Sequence, residues 1–163
     1  MRILGIDPGY GIVGYGIIEN ENGKLRPLDY GAIETPSKLP TAERLIIIEQ
    51  RIAELIKDVE PDEIALEELF FNTNITTGIK VAQARGVILL SCAKLCPKLF
   101  EYTPLQIKST VTGNGTAAKS QVQYMVKSIL RLVDTPKPDD AADALAAAIC
   151  HAWTAQGIKR GLK

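Results

Sequence analysis

Residues 2–18, RILGIDPGYGIVGYGII, constrain the fold more than any other stretch. RILGID is a short apolar run of buried-strand character that ends on a carboxylate. VGYGIIE (13–19) reads as a second strand, with the turn-rich PGYGI between the two. GYGIVG also fits G-x-G-x-x-G, the glycine pattern of dinucleotide-binding loops. That pattern needs a helix N-terminus directly behind it, because the helix end receives the pyrophosphate. Here branched residues and another glycine follow, and no helical periodicity begins before Thr41. Context therefore argues against a dinucleotide site. The glycines turn the chain after Asp7 and admit close approach of other groups. Asp7 is the residue of chemical interest.

LRPLDYGAIET (25–35) predicts a third strand, so the first three form an antiparallel meander. A helix follows from Thr41 to Val59, with Thr41 as N-cap and Leu45, Ile48, Ile52, Leu55 and Ile56 at helical spacing. IALEELF (64–70) predicts a strand, and a polar stretch leads into a long helix over 75–95. LFEY (99–102) is a last strand, followed by helices over 104–111, 117–130 and 139–158. The order βββαβαβα with extra helical turns predicts an α/β fold, a mixed five-stranded sheet flanked by helices. Residues 1–158 are expected to form a single domain, with 159–163 as a short tail.

The chain has 163 residues, 46% hydrophobic and 23% charged, as in ordinary globular proteins. No apolar run approaches the ~20 residues of a membrane span, and MRILGID lacks a signal-peptide layout. No membrane partner and a cytoplasmic location are expected. Cys92, Cys96 and Cys150 are odd in number and without ligand or disulfide spacing, so they read as core residues. The formal net charge is zero, but residues 1–79 carry 7 Lys+Arg against 14 Asp+Glu, and residues 80–163 carry 12 against 5. Such asymmetry can set a basic surface beside an acidic pocket.

The acids stand where a purely structural account is awkward. Asp7 ends an apolar strand, Glu67 and Glu68 interrupt another, and Asp139, Asp140 and Asp143 open an alanine-rich helix. Singly, each fits a turn, a strand end or a helix cap. Together they point to a cation, because ionised groups in apolar settings need a charge partner. Asp140 and Asp143 are i and i+3 and share one helix face. Carboxylates suit hard ions such as Mg²⁺, and two ions ~3.5–4 Å apart are one arrangement for phosphodiester cleavage. Zinc is disfavoured, since His151 is the only histidine and reads as packed or exposed, not catalytic.

ILGIDPG, ALEELF, QARG, GNGTAAKSQVQ and DDAADALA, in this order, resemble the RuvC family of bacterial Holliday junction resolvases, within the ribonuclease H-like superfamily. The resemblance runs from Arg2 to about Trp153 and implies a ribonuclease H-like sheet. It implies that Asp7, Glu67, Asp140 and Asp143 are the catalytic and metal-binding carboxylates, leaving Glu68 as a neighbour and Asp139 as a cap. Lys108 and Lys119 match basic residues near the DNA, and Phe70 matches an aromatic that handles the crossover. The implied activity is symmetric cleavage of two opposed strands of a four-way junction by a homodimer. Mg²⁺ is the implied cofactor, with two ions per site and Mn²⁺ as a substitute, and RuvA and RuvB are the implied partners. Phosphate contacts should come from the basic second half, which contains Lys80, Arg85, Lys108, Lys119, Lys127 and Arg131. Part of the apolar long helix is available to a second subunit. An actin-like ATP-binding protein would need a second lobe that 163 residues do not readily hold. A non-catalytic relative is expected to have lost at least one acid.

Overall fold

A computed structural model describes residues 1–68, 75–96 and 98–159. Its strands are β1 (Arg2–Asp7), β2 (Ile12–Glu21), β3 (Lys24–Glu34), β4 (Glu63–Glu67) and β5 (Leu99–Tyr102). The helices are α1 (Thr41–Val59), α2 (Ile75–Leu95), α3 (Pro104–Thr112), α4 (Lys119–Leu130) and α5 (Asp139–Lys159). The sheet order is β3-β2-β1-β4-β5, with β1 antiparallel to β2, β2 antiparallel to β3, and β1, β4 and β5 parallel. This is the expected mixed five-stranded sheet. The β2–β3 turn falls at Asn22-Gly23, both with positive φ, the local signal for a tight hairpin.

Alternation along the strands divides the core. Leu4, Ile6, Ile64 and Leu66 pack with α1 and α2 through Ile48, Ile52, Ile56, Ala84 and Ile88. Ile3 and Ala65 face the other way, toward α3, α4 and α5. That second layer is built from small residues: Ala141, Ala142, Ala144, Ala146, Ala147, Ala148 and Ala152 of α5 are all buried. The sheet answers with glycine. A Cβ on Gly5 would stand 2.0 Å from the Ala144 carbonyl oxygen, and one on Gly14 would stand 2.0 Å from that of Asp140. The glycines of the opening motif thus do more than shape a hairpin. They let α5 lie against β1 and β2 almost backbone to backbone.

Several boundaries differ from the sequence reading. The strand expected over 64–70 begins at Glu63, and its described part ends at Glu67. Thr41 is the first residue of α1 and does not cap it; Pro40 holds the cap position, and the Thr41 hydroxyl accepts a 3.0 Å hydrogen bond from Tyr10. α4 starts at Lys119 because Gln121 turns its side-chain oxygen back to the Ala118 N–H at 2.8 Å. The three cysteines are free and buried, as expected. No described helix is long and apolar enough to cross a membrane.

Candidate active site

β1 and β4 are parallel, with Ile6 paired to Leu66, so their last residues, Asp7 and Glu67, end side by side. Both belong to the alternation that faces α5. There α5 delivers Asp140 and Asp143 from its first turns. Asp7, Glu67 and Asp143 line a cleft of about 240 Å³ with Pro104, Ile107, Lys108, Lys119, Val122 and Ala146. Asp140 is outside that lining, but its charge is felt by both Asp7 and Asp143. The sheet and one helix therefore bring Asp7, Glu67 and Asp143 to one cleft, with Asp140 near enough for its charge to act on two of them.

The electrostatics are those of an under-neutralised site. Burial, then the negative charges of Glu67, Asp143 and Asp140, hold the Asp7 carboxyl well above the usual carboxylate range, against the opposing effect of Lys119. Burial and the Asp143 charge push Glu67 up to about 7, although Lys108 and Lys119 pull it down. Burial also raises Asp143, and its bond to Lys119 opposes this. The Lys119 ammonium lies 2.9 Å from Asp143 Oδ2 and 4.0 Å from Asp139 Oδ2. Burial would lower Lys119, but the Asp143 hydrogen bond and the surrounding negative charge leave it raised. A second lysine, Lys108 of α3, completes the cleft. The charge asymmetry of the sequence becomes local here: two acids of the acidic half face two lysines of the basic half.

The donor set is entirely oxygen and fits a hard divalent cation. A cation among these groups would also reverse the upward shifts of Asp7 and Glu67. Among the described residues, no three Asp, Glu, His or Cys side chains are already close enough to share one ion.

The other expected site residues have separate places. Glu68 lies just beyond β4, where its backbone N–H donates to the Tyr102 carbonyl at 2.8 Å. It is absent from the charges that shift Asp7 and Glu67. Asp139, the first residue of α5, pairs with Lys137 at 3.2 Å and with Lys119 at 4.0 Å. Arg85, expected on DNA, is engaged within the chain: it pairs with Glu101, and its Nε–H points to the Glu67 carbonyl at 3.4 Å. Phe70 lies outside the described residues.

Sequence reasoning passed over Arg44 and read His151 only as packed or exposed, yet both are anchors. Arg44 is buried, donates to Thr35 Oγ1 at 2.9 Å and to the Tyr10 carbonyl at 3.2 Å, and lies 3.9 Å over the Tyr10 ring. It pins the loop that follows Asp7. His151 is 1% exposed and joins Tyr102 to Glu63. Nothing in the sequence around either residue sets it apart from a helix-surface arginine or a packed histidine.

Residues 3–151 match the family model of the crossover junction endodeoxyribonuclease RuvC. The chain belongs to the RuvC family. Among relatives, the RuvC enzyme of Alkaliphilus oremlandii is 56% identical over 154 residues, covering 94% of each chain. That of Clostridioides difficile is 55% identical over 152 residues, covering 93% of this chain and 90% of its own. The structure of T. thermophilus RuvC in complex with Holliday junction substrate superposes with a TM-score of 0.89 at 35% identity, covering 96% of this chain and 95% of that one. The chain is thus a ribonuclease H-like nuclease, in a family whose enzymes hydrolyse DNA with a divalent metal.

Proposed function

We propose that this protein resolves four-way DNA junctions by cutting two opposed strands symmetrically, using Mg²⁺, with Mn²⁺ as a substitute and two ions per site. The observation that carries the reading is the meeting of carboxylates from β1, β4 and α5 in a cleft that Lys108 and Lys119 also line. Asp7, Glu67, Asp140 and Asp143 hold the ions. A divalent ion held by these carboxylates would supply a lowered pKa for its water and charge stabilisation for the oxygen that leaves phosphorus. Lys108 and Lys119 hold the scissile phosphate and offset charge developing on it. Lys119 is the counter-ion of Asp143 in the structure, and with ions on Asp143 its ammonium would be free to hold a phosphate. The hydrolysis joins a water oxygen to phosphorus as the bond to one sugar oxygen breaks.

Phe70, two residues beyond Glu68, stacks on a base left unpaired at the crossover, a contact of ~1–3 kcal/mol. Arg85 is assigned to the DNA-facing basic surface, and to meet a phosphate its guanidinium must exchange Glu101 for the DNA. Residues 1–158 act as one nuclease domain in the cytoplasm, with RuvA and RuvB supplying branch migration. The active form is a homodimer. Supporting this, Ile79 and Leu90 of α2 are 55% and 56% exposed, and Gly86 lies on the same helix face with open space above it.

The test is cleavage of a synthetic four-way junction and a linear duplex of the same sequence, with and without Mg²⁺. Paired nicks in opposed strands of the junction, only with the metal, are expected. Equal cutting of the linear duplex would overturn the reading.

A further inference from the structure

α5 carries two of the four acids, yet the face it turns to the sheet is mostly alanine. Alanines against glycines allow close approach but offer few knobs to stop a helix from sliding along its axis. Among the described residues of that helix, Leu145 and Ile149 are the larger buried apolar side chains. Nonpolar packing is also non-directional. A metal site requires its ligands within ~0.5 Å of the working geometry. Something directional must therefore set the height of α5.

His151 is the polar side chain buried on this helix among its alanines. Its Nδ1 is 2.7 Å from the Tyr102 hydroxyl of β5, and its Nε2 is 2.6 Å from Glu63 Oε2 of β4. A carboxylate only accepts, which assigns a hydrogen to Nε2; in the neutral imidazole Nδ1 then accepts from the tyrosine. Phe100 covers the imidazole with ring centroids 4.5 Å apart, and Lys98 lies 3.9 Å from the other Glu63 oxygen. Burial pushes the Tyr102 hydroxyl up to about 12, so it stays a donor throughout the working pH range.

We infer that Tyr102, His151 and Glu63 form a tie that sets the axial register of α5 against β4, and thereby positions Asp140 and Asp143 over Asp7 and Glu67. The inference rests on the proposed nuclease site. Asp143 to His151 is eight residues of helix, ~12 Å at 1.5 Å per residue. Glu63 to Glu67 is four residues of strand, ~13 Å at 3.3 Å per residue. The two lengths match, so a bond between His151 and Glu63 at one end brings Asp143 level with Glu67 at the other. Tyr102 closes the figure: it pairs with Glu67 in the β4–β5 ladder, its carbonyl receives the Glu68 N–H, and its hydroxyl reaches back to His151. His151 is a positioning residue, remote from the reacting atoms.

The experiment compares the parent chain with Tyr102→Phe, His151→Phe and Glu63→Gln. Three readouts are used: junction cleavage at saturating Mg²⁺, junction affinity without metal, and Mn²⁺ binding by calorimetry. Tyr102→Phe and His151→Phe should lower kcat by about 10- to 100-fold with metal-free junction affinity unchanged. Both should weaken Mn²⁺ binding roughly 10-fold. Glu63→Gln keeps an acceptor for the imidazole N–H and should retain both properties. A folded Tyr102→Phe protein that melts earlier, yet keeps kcat and Mn²⁺ affinity within about twofold of the parent, would overturn the inference. Failure of the parent chain to cut junctions would defeat the functional reading instead, and the Mn²⁺ titration would still decide the tie.

Discussion

At the scale of single residues, Glu67 is the informative case. Its carboxyl titrates near 7 because it is buried beside Asp143. Ions and protons compete for that group, so cleavage at limiting Mg²⁺ should climb as pH rises from about 6 to 8, and the rise should move to lower pH as Mg²⁺ is increased. A pH–rate series at two metal concentrations checks both. Linkage fixes a second expectation. A carboxyl whose folded pKa lies above its unfolded value of 4.5 contributes stability below that value, and the contribution is lost as pH rises through the folded pKa. In metal-free buffer, Glu67→Gln should therefore be more stable than the parent at pH 8, by an amount on the order of 1–3 kcal/mol, with the gain vanishing as pH falls below the unfolded value of 4.5. The same substitution, like Asp7→Asn, Asp140→Asn and Asp143→Asn, should lower cleavage on the order of 10³-fold with junction binding largely intact, because its role lies in the transition state. Glu68→Gln and Asp139→Asn should be mild. A dead Glu68→Gln beside an active Glu67→Gln would reverse the assignment along β4.

Between elements, the decisive contact is α5 on β1 and β2. Gly5→Ala and Gly14→Ala would each drive a methyl into a helix carbonyl, so α5 must lift away. Each change should cost ~1–3 kcal/mol, or prevent folding, and should reduce Mn²⁺ binding in whatever protein remains folded. Thermal melts with and without Mn²⁺ test this. The order of elements was readable from the sequence, because alternation and 3.6-residue periodicity report which face each segment buries. The acids were readable because a carboxylate at the end of RILGID or within IALEEL conflicts with its surroundings. The locks between elements were not. Arg44 and His151 owe their roles to partners far along the chain, such as Glu63, 88 residues from His151. The helix face on which Arg85 meets Glu101 exists only once β5 is in place. The reading of Thr41 failed for a similar reason: its hydroxyl is taken by Tyr10, 31 residues earlier.

The whole molecule adds expectations about partners. A Cβ added at Gly86, mid-helix on α2 between exposed Ile79 and Leu90, would meet nothing within 4 Å outside its own helix among the described residues. In a lone chain, Gly86→Ala should stabilise by up to ~1 kcal/mol through helix propensity. In the proposed homodimer, the added methyl meets the partner, so sedimentation should show weaker self-association while the melting point of the dilute chain rises. Leu90→Glu should abolish the dimer and, with it, paired cutting of opposed strands. Junction affinity should fall steeply with added salt, and Lys108→Ala should flatten that slope by about one counter-ion per site. Lys24→Ala, in the exposed β2–β3 hairpin, should leave the slope as it is.

The glycine–alanine seam also acts as a ruler. Where large side chains separate a helix from a sheet, their spacing drifts as those side chains change. Here the gap between the strand that ends in Asp7 and the helix that begins with Asp139 is set by main-chain atoms, which are the same in every sequence. Substitutions behind α1 or along α4 can accumulate without altering that dimension. The gauge of the metal-binding end is thereby insulated from ordinary sequence change in the remainder of the core.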